Sequence, residues 1–197
     1  MSFSSDVKKE ICSVEQFDRE ALKAELYGML LFSRNFSPNK ITFTTESNYA
    51  GNRLIFLLQN LYMPIIEKQS ALRTKSSDSH LYKIIVVDGN DCKRIFEDLG
   101  HTDGQIILRV NRANLSSEEL SQAFLRGVFL SCGSVSDPMK SYHLEFCVPH
   151  KNLSQDLCKI LSEITECTLI PKTVVRSGSY IVYFKESEQI CDLLTYI

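Results

Sequence analysis

The segment Asp18–Phe36 (DREALKAELYGMLLFSRNF) returns as Ser117–Val135 (SEELSQAFLRGVFLSCGSV), with Ala24, Leu26 and Gly28 of the first over Ala123, Leu125 and Gly127 of the second at an offset of 99 residues. A period of that length makes the chain two copies of one structural unit rather than a single unrelated string of elements. Each copy is apolar over most of its last two turns, Leu26–Phe32 and Phe124–Leu130, which marks a helix covered on more than one side. Start signals precede both: Asp18 as N-cap of the first, and Ser116 with Glu119 as a capping box for the second. A glycine within a helix costs about 1 kcal/mol against alanine, so Gly28 and Gly127 are expected where another backbone comes close. The two helices are candidates for each other's partner.

The segments after each helix repeat as well. A turn at Ser37, Pro38 and Asn39 leads to a strand-like ITFTTE (Ile41–Glu46), and Asp137 and Pro138 lead to YHLEFCV (Tyr142–Val148). Helices are predicted over Tyr49–Leu61 and Asn152–Thr165 from apolar spacing of three and four. Second hairpins come next, Ile65–Thr74 with Leu81–Val87 and Leu169–Val175 with Tyr180–Phe184; the turn Arg176–Ser179 of the latter supplies a glycine. Short helices close each copy at Asp91–Leu99 and Ser187–Tyr196, and Ser4–Cys12 reads as a leading helix. The expected architecture is α+β, two pseudo-symmetric αββαββα halves packed through paired central helices. The halves are placed at 1–112, with the leading helix, and 113–197. The stretch Thr102–Asn114 joins them, its QIILRV forming a strand or running extended over the surface.

Composition narrows the function. With 197 residues, the chain is long enough for two units of about 100 residues and a substantial core. No apolar run approaches the roughly 18 residues of a membrane span, and MSFSSDVKK carries no signal-peptide core, so a cytoplasmic protein without membrane contact is expected. Seven cysteines, an odd count without a C-x-x-C pair, read as reduced thiols; Cys12, Cys147, Cys158 and Cys191 fall in apolar-periodic stretches as small buried hydrophobes. The four histidines lack metal-ligand spacing, so neither metal nor cofactor is expected. The net charge of −2 argues against holding nucleic acid by overall charge, and any polyanion would need a local patch.

A buried helix ending in glycine, turn and strand, repeated about a hundred residues on, resembles the core of a monomeric LAGLIDADG homing endonuclease. More narrowly, SFSSDVKKE and AFLRGVFLSCGSVSDPMKSYHLEF resemble the WhiA family, bacterial regulators of sporulation and cell division whose N-terminal part is a degenerate form of that fold. The resemblance implies paired saddle-shaped sheets that lie on DNA. It also implies a C-terminal helix-turn-helix domain, expected to be absent from this chain, which ends at Tyr196–Ile197 within an apolar helical pattern. In the nucleases an acidic residue at each helix end holds the divalent metals, because hard cations need charged oxygen ligands. The matching positions here are Ser33 and Cys132, with Leu31 and Leu130 two residues before them. Glu25 and Asp137 lie nearby and read as solvated surface acids. No catalytic residues and no nuclease activity are expected.

The basic side chains placed on or beside the hairpins, Arg34, Lys40, Arg73, Lys75, Lys83, Lys140, Lys172 and Arg176, are the candidate contacts for double-stranded DNA. Such contacts give weak, salt-dependent, largely sequence-independent binding. Residues 1–110 carry 14 basic and 14 acidic groups, so the first half is not a basic domain. Two alternatives stand beside this reading: an interaction module docking proteins of the transcription machinery while a helix-turn-helix domain holds the DNA, and a live endonuclease with unorthodox ligands. A duplicated core already pairs its own helices, so a monomer is expected.

Overall fold

Period-two and period-3.6 patterning alternate along the chain and fold it as α+β. A computed structural model describes residues 2–72, 80–105 and 107–197. The elements are α1 (Phe3–Cys12), α2 (Arg19–Leu31), β1 (Asn35–Ser37), β2 (Lys40–Thr45), α3 (Asn48–Leu61), β3 (Ile66–Leu72), β4 (His80–Val86) and α4 (Gly89–Asp98). A 3₁₀ turn (Arg112–Leu115) precedes α5 (Glu118–Cys132), β5 (Gly133–Val135), β6 (Leu144–Val148), α6 (Lys151–Ser162), β7 (Lys172–Arg176), β8 (Ser179–Phe184) and α7 (Ser187–Tyr196). Each half holds a four-stranded antiparallel sheet, ordered β1-β2-β4-β3 in one and β5-β6-β8-β7 in the other. The turn between β7 and β8 places Ser177 and Gly178 at positive φ (50° and 78°), the left-handed pair a tight hairpin needs.

Helices cover one face of each sheet. Ile41, Phe43, Ile84 and Val86 point to that face in the first sheet, and Leu144, Phe146, Val182 and Phe184 in the second; all belong to one buried cluster that also contains α2 and α5. Burying a leucine or phenylalanine side chain contributes about 2 kcal/mol, so this shared cluster is a large stabilising term common to both sheets.

Several local expectations need correction. Ser117, not Ser116, caps α5, its hydroxyl accepting from Leu120 N–H at 3.3 Å, while Ser116 ends the 3₁₀ turn. Asp18 does cap α2, accepting from Ala21 N–H at 2.8 Å. Among the described residues of the connector no strand forms, and side chains pin the segment instead. Cys147 and Cys191 are exposed, Cys12 and Cys158 only half-buried, and Cys92 is the buried thiol. Cys147 alternates with the buried Phe146 and Val148, which puts it on the outward side of β6.

The cleft on each side of the central pair is filled differently. Helix α1 runs antiparallel along α5: Ser4 Oγ accepts from Val135 N–H, Lys8 Nζ donates to Leu130 O, and Gln16 reaches Glu119 near the start of α5. The connector takes the matching cleft beside α2 and α6, where Asn111 N–H donates to Tyr27 Oη at 2.7 Å and Val110 N–H to Asp156 at 3.0 Å.

Candidate nucleic-acid interface

Helices α2 and α5 meet backbone to backbone. A Cβ added at Gly28 would overlap the Phe124 carbonyl oxygen and lie 2.9 Å from Val128 N; one added at Gly127 would overlap the Glu25 carbonyl oxygen and lie 3.0 Å from Met29 N. Ser33 and Cys132 each stand five residues past these glycines, at the same end of the pair. Ser33 is buried and its hydroxyl donates to Leu30 O at 2.7 Å. Burial pushes the Cys132 thiol well above the ordinary cysteine range, against the opposing pull of Lys8, so it stays protonated. Lys8 brings its amine to the end of α5, donating to the orphan Leu130 carbonyl at 3.2 Å, and burial draws its pKa down. A committed hydroxyl, a protonated thiol and a lysine amine do not suit a hard divalent cation, which prefers charged oxygen ligands. Among the described residues no cluster of three or more His, Cys, Asp or Glu is placed to hold a metal.

Glu25 is not a surface acid. Its side chain is fully buried and receives two hydrogen bonds from Arg53 Nε and Nη2, each 2.8 Å, with Arg126 Nη1 3.9 Å away. Arg126 also donates through Nε to Ile197 O at 2.8 Å, and burial lowers its pKa against the attraction of Glu25. In the other half the equivalent Tyr27 bonds His101 at 3.2 Å and takes the Asn111 N–H. Each central helix thus uses one polar tip to hold the segment after its half's last helix. Residues Tyr27, Arg53, Arg126 and Lys8 were not singled out by the sequence pattern. The clue was an Arg and an acid inside apolar runs, which require a partner when buried. Asp137 is half-buried and caps its own turn, accepting from Met139 N–H at 3.0 Å.

The sheet faces turned away from the helices carry the candidate cations unequally. On the first sheet Lys40 and Lys83 are exposed on the outward face, Lys83 between Thr44 and Gln69, and neither makes an ion pair among the described residues. Arg34, just before β1, is exposed as well. Lys172 and Arg176 share the outward face of β7, but Lys172 is bound to Glu186 at 2.8 Å and Arg176 to Glu145 at 2.7 Å. Glu145 also binds His143 at 3.0 Å; burial works against its charge, and the His143 and Arg176 hydrogen bonds prevail and hold its pKa down. Lys140 is exposed in the β5–β6 turn, away from that network. Arg73 and Lys75 lie outside the described residues. No helix among the described residues is long and apolar enough to cross a membrane.

The chain is similar to known proteins in sequence and in fold. Residues 121–197 match the family described as the WhiA LAGLIDADG-like domain. The whole chain is 34% identical to a probable cell division protein WhiA of Clostridium perfringens, covering 64% of that protein's length, and 34% identical to one of Ruminiclostridium cellulolyticum, again 64%. Among solved structures, full-length WhiA from Thermatoga maritima superposes with a TM-score of 0.74 at 21% identity, covering all of this chain and 62% of that one. The isolated N-terminal LAGLIDADG domain of WhiA gives 0.73. The homing endonuclease I-WcaI, bound to its DNA recognition sequence, gives 0.56 at 11% identity over 98% of this chain.

Proposed function

The chain belongs to the WhiA family, and on that footing we propose that it is a non-catalytic, DNA-associated region of a bacterial transcription regulator acting in cell division or sporulation. The observation that carries this reading is the chemistry at the ends of α2 and α5. There Ser33 is bonded to its own helix, Cys132 is a protonated thiol, and a lysine amine, Lys8, stands at the end of α5 where a nuclease needs carboxylates. The scaffold keeps a shape that relatives by fold use on DNA, without donors for the metals that cut it. The halves, 1–112 and 113–197, act as one unit because a single chain supplies both central helices, so no second copy is needed. DNA contact falls on the outward sheet faces, led by Lys40 and Lys83, with Arg34 and Lys140 at the edges. These touch phosphates, and reading of sequence is left to the helix-turn-helix domain that the family resemblance implies.

Two measurements test this. Random-sequence duplex DNA should bind weakly at about 50 mM salt and be released as salt rises, with a linear log–log dependence. Supercoiled plasmid incubated with Mg²⁺ or Mn²⁺ should stay uncut. A cut plasmid, or no binding at the low salt where phosphate contacts are strongest, overturns the proposal.

A further inference from the structure

Between α6 and the edge strand β7 lies an open groove of about 680 Å³. Its lining includes Lys151, Lys159 and Gln155 from the helix and Thr173, Val175 and Tyr180 from the strands. The two sheets correspond in register, since Ile84 pairs with Phe43 and Lys68 while Val182 pairs with Phe146 and Thr173. The buried rows Ala50, Leu54, Leu57, Leu58 and Leu153, Leu157, Ile160, Leu161 align α3 with α6 in the same way. In the first half Lys68 spans this gap, donating to Asn48 at 2.9 Å and Asn52 at 2.7 Å and lying 5.1 Å from the Tyr82 ring centre. In the second half Thr173 stands where Lys68 stands, and Lys151 and Gln155 replace the two asparagines. The bridge is gone and the groove stays open.

The opened groove is basic. Lys151 and Lys159 are exposed and make no ion pair among the described residues. The nearby Asp156 is already taken by Arg109 and the Val110 N–H. β7 is the outer strand of its sheet, so one row of its backbone groups has no strand beside it, and Val174 and Val175 are 50% and 64% exposed. An edge of that kind accepts another extended chain. Eight residues separate Lys151 from Lys159, about 12 Å along a helix, which an extended chain covers in about four residues. Residues four apart in a strand point the same way, and the one midway between them does too.

We propose that the α6–β7 groove docks an extended acidic segment of a partner protein. The segment lies along the free edge of β7, sets two carboxylates four residues apart on Lys151 and Lys159, and places an apolar side chain between them over Val175 and Tyr180. The site is separate from the DNA-facing surfaces, so it stands or falls apart from the proposed function.

The probe is a fluorescein-labelled, threonine-rich heptapeptide with valine at its centre and glutamate two residues away on either side, titrated by anisotropy against the whole chain. It should bind, and its twin with glutamines in place of the glutamates should bind about tenfold or more weaker. Transplanting the first half's bridge (Thr173→Lys, Lys151→Asn and Gln155→Asn together) should close the groove and abolish binding. Lys159→Glu, a change in the exposed last turn of α6, should weaken binding about tenfold while the urea midpoint falls only slightly. The proposal is overturned by absence of binding, by equal binding of the glutamine twin, or by Lys159→Glu without effect. It also fails if a short DNA duplex, and not the peptide, loses binding on Lys159→Glu.

Discussion

Arg53 on α3 and Asp156 on α6 hold the same place in their respective halves, yet they carry opposite charges and answer to different neighbours. Arg53 meets Glu25 of the central helix, wholly buried, whereas Asp156 meets Arg109 of the connector, whose side chain is 52% exposed. The difference arises from the segment that fills each cleft. In the first, α1 closes the gap with its own backbone already satisfied, leaving Glu25 inside the helix packing. In the second, an irregular segment brings free N–H groups, and a carboxylate is the side chain that satisfies them; Asp156 takes both the Val110 N–H and the Arg109 guanidinium. A duplicated fold therefore keeps its backbone plan while each copy solves its polar accounting locally.

Removing the buried acid should be the harshest way to break the equivalence. Glu25→Gln leaves Arg53 and Arg126 buried without a carboxylate and should lower stability by about 3 to 5 kcal/mol in urea unfolding. Asp156→Asn should cost clearly less, because Arg109 can turn to water; equal losses would mean that the two sites are energetically alike. Gly28→Ala and Gly127→Ala should each cost about 3 kcal/mol, since a methyl group is forced onto a facing carbonyl. Near-equal values would sharpen the symmetry of the central pair, and a wide gap in urea midpoints would break it.

Acid titration probes the Asp156 site directly. Burial opposes the charge of Asp156, but hydrogen bonds from Arg109 and Val110 outweigh it and hold its pKa below the usual carboxylate value of about 3.9. A depressed pKa contributes stability that is fully present above the unfolded value and is lost as pH falls through the folded one. Thermal melts of Asp156→Asn should therefore show a shallower loss below about pH 4 than the parent. The smallest effects concern DNA. Lys83→Glu should weaken duplex binding severalfold and reduce the salt slope by about one, whereas Arg176→Glu should do less because Glu145 already neutralises that guanidinium. If Arg176→Glu is the more damaging of the two, the second sheet is the principal contact surface.

The repeat, the central glycines, the hairpins and the Asp18 cap were legible because each depends on local spacing or on a period that the chain states twice. Glu25 was not, since its partner lies 28 residues away on another helix and the apolar period says only which face is buried. The same holds for Lys68, whose asparagine partners on α3 precede it by 16 and 20 residues. The one-residue error at Ser116 arose where two capping residues adjoin and a 3₁₀ turn takes the first. Among the proposed contacts, position on a strand was readable but neutralisation by Glu145 and Glu186 was not, because that required knowing which strands become neighbours.

The glycine contact between α2 and α5 has a mechanical consequence. Two helices whose backbones touch at one crossing can slide along each other only by dismounting a carbonyl from a glycine notch, but they can still swivel about that point. Any change in the span between the two sheets must therefore be angular, a scissoring about Gly28 and Gly127. The ends of the strands would then travel farthest while the crossing itself stays still.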